Sequence, residues 1–438
     1  MHTAAPDGSS ASLQHLIAHL PEDAVEPIVV SPPGPVVDAF ARAGVPVIPI
    51  RGVSMLHSIV GMPLRGLRLV ELGRTVVNLR HGRALAAAIA ETRPDLVHLN
   101  ERGMLQAAFI ARRAGVGVVM HARSVADPRP AWLGPLSRWV ISRNVDRVVA
   151  IDESVRRSLA PISDAEVVHN PAPLPSRSNA APATRGAPRS DGVRVLFLAN
   201  LSPTKGIWDL IAAAERLRDR PDIRFVIAGA NGRSPVFHRS LSGRLAHLTG
   251  LIPDVESALR RRVADSGLAA TVELVGRIDD PSSLIRSSDI LAFPSHHDGP
   301  GRSVIEAAIE GVPSVVALAH RVEDVVADGE TGLIVPPHDP GALAAAIVRL
   351  TADPGLRLRL GEAARRRAAA TSDPAAVAER VVGIYREVAL SRALANEPDR
   401  TWLPSPDGRI SVPVPAEADT ITGATAIVSG HAEPSEPW

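Results

Sequence analysis

The chain has 438 residues, long for one compact domain and suited to two, and its 45% apolar and 22% charged residues are those of a folded globular protein. Its 48 basic residues almost balance 47 acidic ones for a formal charge of +1, so no global field favours nucleic acid as a partner. Cysteine is absent, which excludes disulfides, thiolate metal sites and cysteine nucleophiles and fits a reducing compartment, and aromatics at 3% leave the core to aliphatic side chains.

Short aliphatic runs alternate with longer stretches of helical period, the pattern of strand and crossover-helix units in a parallel sheet. In the first half, strands are expected at 27–30, 45–50, 96–99, 116–120, 147–150 and 166–169, with helices at 12–20, 36–43, 82–92 and 104–114. Residues 171–191, PAPLPSRSNAAPATRGAPRSD, have no apolar period and read as a linker. The alternation then restarts, with strands at 193–199, 223–228, 271–275, 290–293 and 314–317 and helices at 208–217, 255–266, 282–287, 304–310 and 341–352. Two long helices follow at 354–370 and 373–392, and beyond 396 the aliphatic period is lost, as in a disordered tail. The division is therefore a first α/β domain over 1–170, the linker, a second over 192–373, a C-terminal helix over 374–395 expected to return to the first domain, and a tail over 396–438.

In open parallel sheets, ligands bind beyond the carboxyl ends of the strands. Two such loops in the second half carry chemistry. The first, VLFLANLSPTKG, ends on Lys205-Gly206 just before a helix, and Lys205 is the single lysine of the chain. Every other basic residue is Arg, so this position has resisted a strong compositional preference. A compact ammonium beside helix N-terminal amides is a phosphate-binding arrangement, whereas a solvated surface lysine would be readily exchanged for Arg. The second loop, PSHHDGPGRSVIEAAIEG, sets Asp298 and Glu306 eight residues apart around a Gly-Pro-Gly turn. Backbone amides of Gly299, Gly301, Arg302 and Ser303 can cradle an anion there, and a carboxylate one or two turns into the helix can accept sugar hydroxyls.

These residues resemble the retaining glycosyltransferases of family 4, group 1. The likeness runs over about residues 8–392 and rests on the acidic pair Asp298 and Glu306 with EAAIEGVPSVVA after it, and on FLANLSPTKG at 197–206. Further matches are PDLVHLN at 94–100, VVMHARS at 118–124, VVAIDESVRRSL at 148–159, VVHNP at 167–171 and DGETGLIVPPHDPGALAAAI at 328–347. The resemblance implies an α/β protein of GT-B fold, two Rossmann-like domains facing across a cleft, that transfers a sugar from a nucleotide-sugar donor. It implies that Lys205, with Gly206, Asn200 and the amides of the 299–303 turn, holds the diphosphate, that Glu306 binds the donor ribose, that Asp298 contacts the transferred sugar and that Gly276, Arg277 and Ile278 edge the base. His121 matches the family histidine near the reacting sugar, and His98 reads as structural. A departing diphosphate can be stabilised by a cation and aimed amides alone. The chain contains no D-x-D, so neither metal nor cofactor is expected.

Two departures stand out. The family's first strand leads into a glycine loop over the donor phosphates, yet here Gly8-Ser9-Ser10 would be that loop with its strand missing. The family's Arg ahead of the lysine is Asn200, which removes one cation. The alternative reading is a non-catalytic or impaired GT-B paralogue that binds sugar nucleotide or assists a partner transferase. A dehydrogenase lacks its G-x-G-x-x-G here, a pyridoxal-phosphate phosphorylase its Schiff-base lysine context, and a nucleotide-sugar 2-epimerase stays open on the shared fold.

The stretch 51–83 holds six Arg against one Glu among Leu, Met and Val, which suits either a membrane surface carrying a lipid-linked glycan acceptor or an ordinary solvated face. No run reaches the roughly 20 apolar residues of a membrane span, and MHTAAPDGSSAS lacks the regions of a signal peptide, so a cytoplasmic location, peripheral to the membrane at most, is expected.

Overall fold

The computed structural model describes residues 8–50, 81–125, 133–160, 164–172, 192–230, 254–278, 280–297, 299–320 and 323–396. The basic stretch up to residue 80, the linker from 173, the tail beyond 396 and Asp298 lie outside these residues. The described chain forms two units, one from the residues up to Ile151, Leu159–Val168 and those from Ala378 on, the other from Asp152–Ser158 and His169–Val377.

In the first unit the elements run α1 (Gly8–Ile17), β1 (Val29–Ser31), α2 (Pro35–Arg42), β2 (Val47–Pro49), α3 (Gly82–Thr92), β3 (Leu96–Leu99), α4 (Leu105–Arg113), β4 (Gly117–Ala122), α5 (Leu133–Asn144), β5 (Arg147–Ala150), α6 (Glu153–Leu159) and β6 (Glu166–Val167), α6 being shared with the second unit. Gly8 and Ser9, expected in a phosphate loop, instead open α1. The Ser12 hydroxyl donates to the Gly8 carbonyl at 2.9 Å, and burial of Leu13 and Leu16 commits this segment to a helix. The strands make two separate parallel sheets, β1 with β2, and β3-β4-β5-β6. Among the described residues no strand precedes α1. Strand β4, GVVMHA, is buried at every residue, as a strand covered on both faces must be.

The second unit continues with β7 (Val193–Leu198), a 3₁₀ turn (Pro203–Lys205), α7 (Ile207–Arg216), β8 (Ile223–Ala228), α8 (Val255–Asp265), β9 (Val272–Gly276), α9 (Ser282–Arg286), β10 (Ile290–Phe293), α10 (Arg302–Ile309), β11 (Ser314–Ala317), β12 (Gly332–Val335), α11 (Pro340–Ala352), α12 (Pro354–Thr371) and α13 (Pro374–Asn396). Its six strands form one parallel sheet in the order β12-β11-β10-β7-β8-β9. The period of two is visible in the core: Val195, Phe197, Phe225 and Ile227 pack into one cluster, while Leu196, Val226 and Ala228 pack into the cluster on the opposite face. Strand β12 is absent from the expected list. It is a four-residue run buried throughout, too short to show a period, and only pairing with β11 makes it a strand.

From Ala378 on, α13 belongs to the first unit. Arg392 donates to the Asp146 carboxylate, Arg147 pairs with Glu387 at 2.5 Å, and a Cβ added at Gly117 would lie 2.8 Å from the Val388 side chain. Gly117 thus marks where β4 lets this helix approach closely.

Candidate active site

In the second unit, β7 delivers the chain to Lys205 through the loop holding the exposed Asn200. The Ser202 hydroxyl caps the short turn by accepting from the Thr204 amide, and Gly206 then turns the chain into α7 at φ 73°, a left-handed conformation that favours glycine. Space forbids any other residue as well, since a Cβ on Gly206 would lie 1.7 Å from the Pro294 carbonyl oxygen. Two further contacts tie this turn to the loop after β10: the His296 amide donates to the Thr204 carbonyl at 2.9 Å, and the Ser295 hydroxyl does so at 3.4 Å.

Phe293, the last residue of β10, is the hub. The Lys205 ammonium lies 5.4 Å from the centroid of its ring, within cation–π range. A Cβ on Gly301 would come within 2.4 Å of the same ring, so glycine lets the N-terminus of α10 settle against it. One ring thereby brings together the two loops that carry the expected donor residues. Burial pushes the Lys205 pKa down. The first amides of α10 have no side-chain cap, because Gly301 is the N-cap residue. The Gly299 amide is less available than expected, since it donates to the His297 carbonyl at 2.9 Å. An ammonium beside uncapped helix amides provides both the charge and the directed dipoles that an anion requires.

Glu306 lies one turn into α10, where its carboxylate accepts a 2.6 Å hydrogen bond from Arg302 Nε, both side chains being largely buried. Burial raises the Glu306 pKa, and the Arg302 guanidinium opposes that shift. A buried carboxylate with one oxygen held by Arg keeps the other free to accept a hydroxyl. At the end of β9, Gly276 adopts φ 82° and its carbonyl accepts from the Gly229 amide at 2.8 Å; Arg277 beyond it is exposed and Ile278 packs on the core.

In the first unit, His121 sits in β4, 1% exposed. Arg123 donates to its Nδ1 at 3.3 Å, which makes Nδ1 the acceptor and leaves the proton on Nε2, an atom with no partner of ordinary hydrogen-bond geometry. Burial, helped by the Arg123 charge, holds its pKa well below the usual range, so the ring is neutral. His98 lies edge-on to it with ring centroids 5.4 Å apart, and its Nδ1 is 2.7 Å from the hydroxyl of Tyr385 on α13. Its pKa falls to about 3, through burial first and the Arg123 charge second. Arg123 also donates to the Asn100 side chain at 2.7 Å, whose amide reaches the Ser9 carbonyl. The Arg302–Glu306 pair and the Tyr385–His98 bond escaped the sequence reading. The one signal for each was the i,i+4 spacing of the charges and the presence of a single tyrosine in the chain.

Residues 185–367 match the family model of glycosyl transferases group 1, and residues 6–174 match that of glycosyltransferase family 4. The chain is similar to the D-inositol 3-phosphate glycosyltransferase of Kineococcus radiotolerans, with 30% identity over 378 residues covering 78% of this chain and 82% of the relative. It is also similar to the alpha-D-kanosaminyltransferase of Streptomyces kanamyceticus, with 28% identity over 322 residues, 67% of this chain and 78% of that one. Among solved structures, that of Anabaena HepE in complex with UDP-glucose superposes with a TM-score of 0.69 at 17% identity, covering 88% of this chain and 98% of the other, a likeness of fold. With both halves matched and a 30% identical relative across most of its length, the chain belongs to the family 4, group 1 glycosyltransferases and is an enzyme of the GT-B fold.

Proposed function

We propose that this glycosyltransferase moves a sugar from a nucleoside-diphosphate sugar to a cell-envelope or exopolysaccharide acceptor with retention of anomeric configuration. One observation carries the donor half of this reading: the single lysine and the uncapped start of α10 meet on the Phe293 ring. As the bond to the diphosphate breaks, negative charge grows on its oxygens. Lys205 and the amides of Gly301, Arg302 and Ser303 stabilise that charge without rearranging, which is the economy of a preorganised site. Glu306 accepts the ribose hydroxyls while Arg302 fixes its rotamer, Asp298 contacts the transferred sugar, and 276–278 border the base. His121, neutral, donates from Nε2 to a hydroxyl of the reacting sugar.

UDP-glucose is the ligand in the Anabaena HepE structure, which makes uridine diphosphate the first nucleotide to test here, and the acceptor reading rests on the composition of 51–83. The donor reading is tested by a thermal-shift screen of nucleoside diphosphates, in which the preferred base stabilises the protein by mass action and Lys205→Ala removes the shift. Near-wild-type turnover in Lys205→Ala or Glu306→Ala would overturn the assignment. Flotation with anionic liposomes tests the membrane-linked acceptor, and a protein that stays at the bottom of the gradient removes it.

A further inference from the structure

Beyond the proposed donor site, the first turn of α7 and the loops after β10 and β12 bring together Asp209, His296 and His338. One ligand atom from each lies within 4.8 Å of the others. Asp209 stands in the first turn of α7, His296 follows β10 and His338 follows β12. His296 Nε2 and an Asp209 carboxylate oxygen are 2.8 Å apart, and the His296 and His338 rings face each other with centroids 3.7 Å apart. A hydrogen bond between His296 and Asp209 would satisfy those two alone. It gives no reason for a second imidazole to sit on the pair, and His338 adopts φ 59°, a left-handed backbone unusual for a residue other than glycine.

The geometry points to a binding site for a divalent transition-metal ion of the zinc, cobalt or nickel class, formed by Asp209, His296 and His338. Ligands about 2.0–2.2 Å from one ion stand roughly 3–3.5 Å from each other, a spacing that small side-chain rotations reach from here. Two imidazoles with one carboxylate suit these ions, whereas magnesium and calcium prefer a shell of oxygens. Three protein ligands leave at least one position for water. The exposed His338 closes the site, and Asp209 and His296 form its half-buried floor.

The ion would act as a clasp. Asp209 stands three residues after Gly206 in the first turn of α7, and the His296 amide already holds the Thr204 carbonyl, so a metal here joins the lysine turn, the loop toward α10 and the loop after β12. Its chemistry is separate from the sugar transfer proposed above, and the test reads metal binding alone.

The experiment uses untagged full-length protein freed of metal, titrated with Co²⁺ and with Zn²⁺ by absorption spectroscopy and calorimetry. Wild type is expected to bind one ion with visible cobalt bands and a raised melting temperature, while His338→Ala, at an exposed position, retains its metal-free melting temperature and loses at least tenfold in affinity. Asp209→Asn should weaken binding in the same direction. Unchanged affinity in both variants, or a Mg²⁺ response equal to that of Zn²⁺, would overturn the assignment. Because the donor screen needs no metal, failure of this proposal leaves the donor reading standing, and the reverse also holds.

Discussion

The two units use the same alternation of strand and helix and reach different ends. The second closes all six strands into one sheet, and its site loops are fixed to one another through Phe293, Pro294 and Thr204. The first, among its described residues, divides its strands between a pair and a set of four, and holds a buried cluster of neutral histidines contacted by Arg123 and Tyr385. Binding a diphosphate requires a cation and amides fixed in advance, because their charge acts only if they need not reorganise. In the proposed donor site, the continuous sheet and the contacts at Phe293 and Pro294 would hold these groups in place. A neutral histidine cluster can orient hydroxyls but offers little to a highly charged group.

The largest effect should come from removing the cation of the second unit. Lys205→Ala is expected to lower kcat/KM by at least a hundredfold, about 3 kcal/mol of charge stabilisation, with melting temperature unchanged. Lys205→Arg should restore only part of it, since a planar guanidinium cannot take the place of a compact ammonium over Phe293. Steady-state kinetics with the donor identified by the thermal screen checks both.

Rigidity itself is tested at Gly206. Gly206→Val meets the Pro294 carbonyl and a left-handed φ together, and should cost about 3 kcal/mol of stability in the second unit, read as a lower urea midpoint with weaker nucleotide binding.

The first unit should respond to pH in a direction set by its histidines. His98 and His121 have folded pKa values below the unfolded 6.5, so the unfolded chain binds protons that the folded one does not. The contribution of these two rings to stability is then full above about pH 6.5 and declines as pH falls below it, by about 2 kcal/mol for each neutral histidine at pH 5, while Glu101, whose pKa burial raises, acts in the opposite direction. Calorimetric unfolding at pH 5 in buffers of different ionisation heat should register this proton uptake, and His98→Phe should reduce it by one. An uptake unchanged by His98→Phe would show that this ring is charged when folded.

The smallest expected effect restores a family cation. Asn200 is exposed, so Asn200→Arg should tighten nucleoside diphosphate binding by about three- to tenfold, roughly 1 kcal/mol for a screened charge-assisted contact. A dissociation constant equal to that of wild type would mean that this loop does not reach the phosphates.

Much of the second unit is legible in the amino-acid order. Strands β7, β8 and β10 and helices α7 and α11 are long enough, or bounded sharply enough by Gly, Pro and Asp, to show their period. Lys205 announces itself through composition, and Gly301 and Glu306 through spacing. What escaped has a common cause. Strand β12 is a short buried run without period, α1 replaces an expected loop because burial of Leu13 and Leu16 outweighs its glycine start, and the availability of the Gly299 amide depends on a turn that its neighbours impose.

The sequence alone determined an alternation of strand and helix in two halves, a single lysine, a glycine turn before a helical carboxylate, and a resemblance to family 4 that the matched family models and relatives bear out. Those signals are local: the period of a strand, the lack of a side chain at a glycine, the chemistry of an ammonium. Tertiary structure alone decided that Phe293 unites the two loops, that Arg302 holds Glu306, that Tyr385 reaches His98 across 287 positions, and that Asp209, His296 and His338 share one spot. Contacts between residues so far apart in the chain leave no periodic trace, because they are set by which strands lie side by side in the sheet and not by the residues next to them in the sequence.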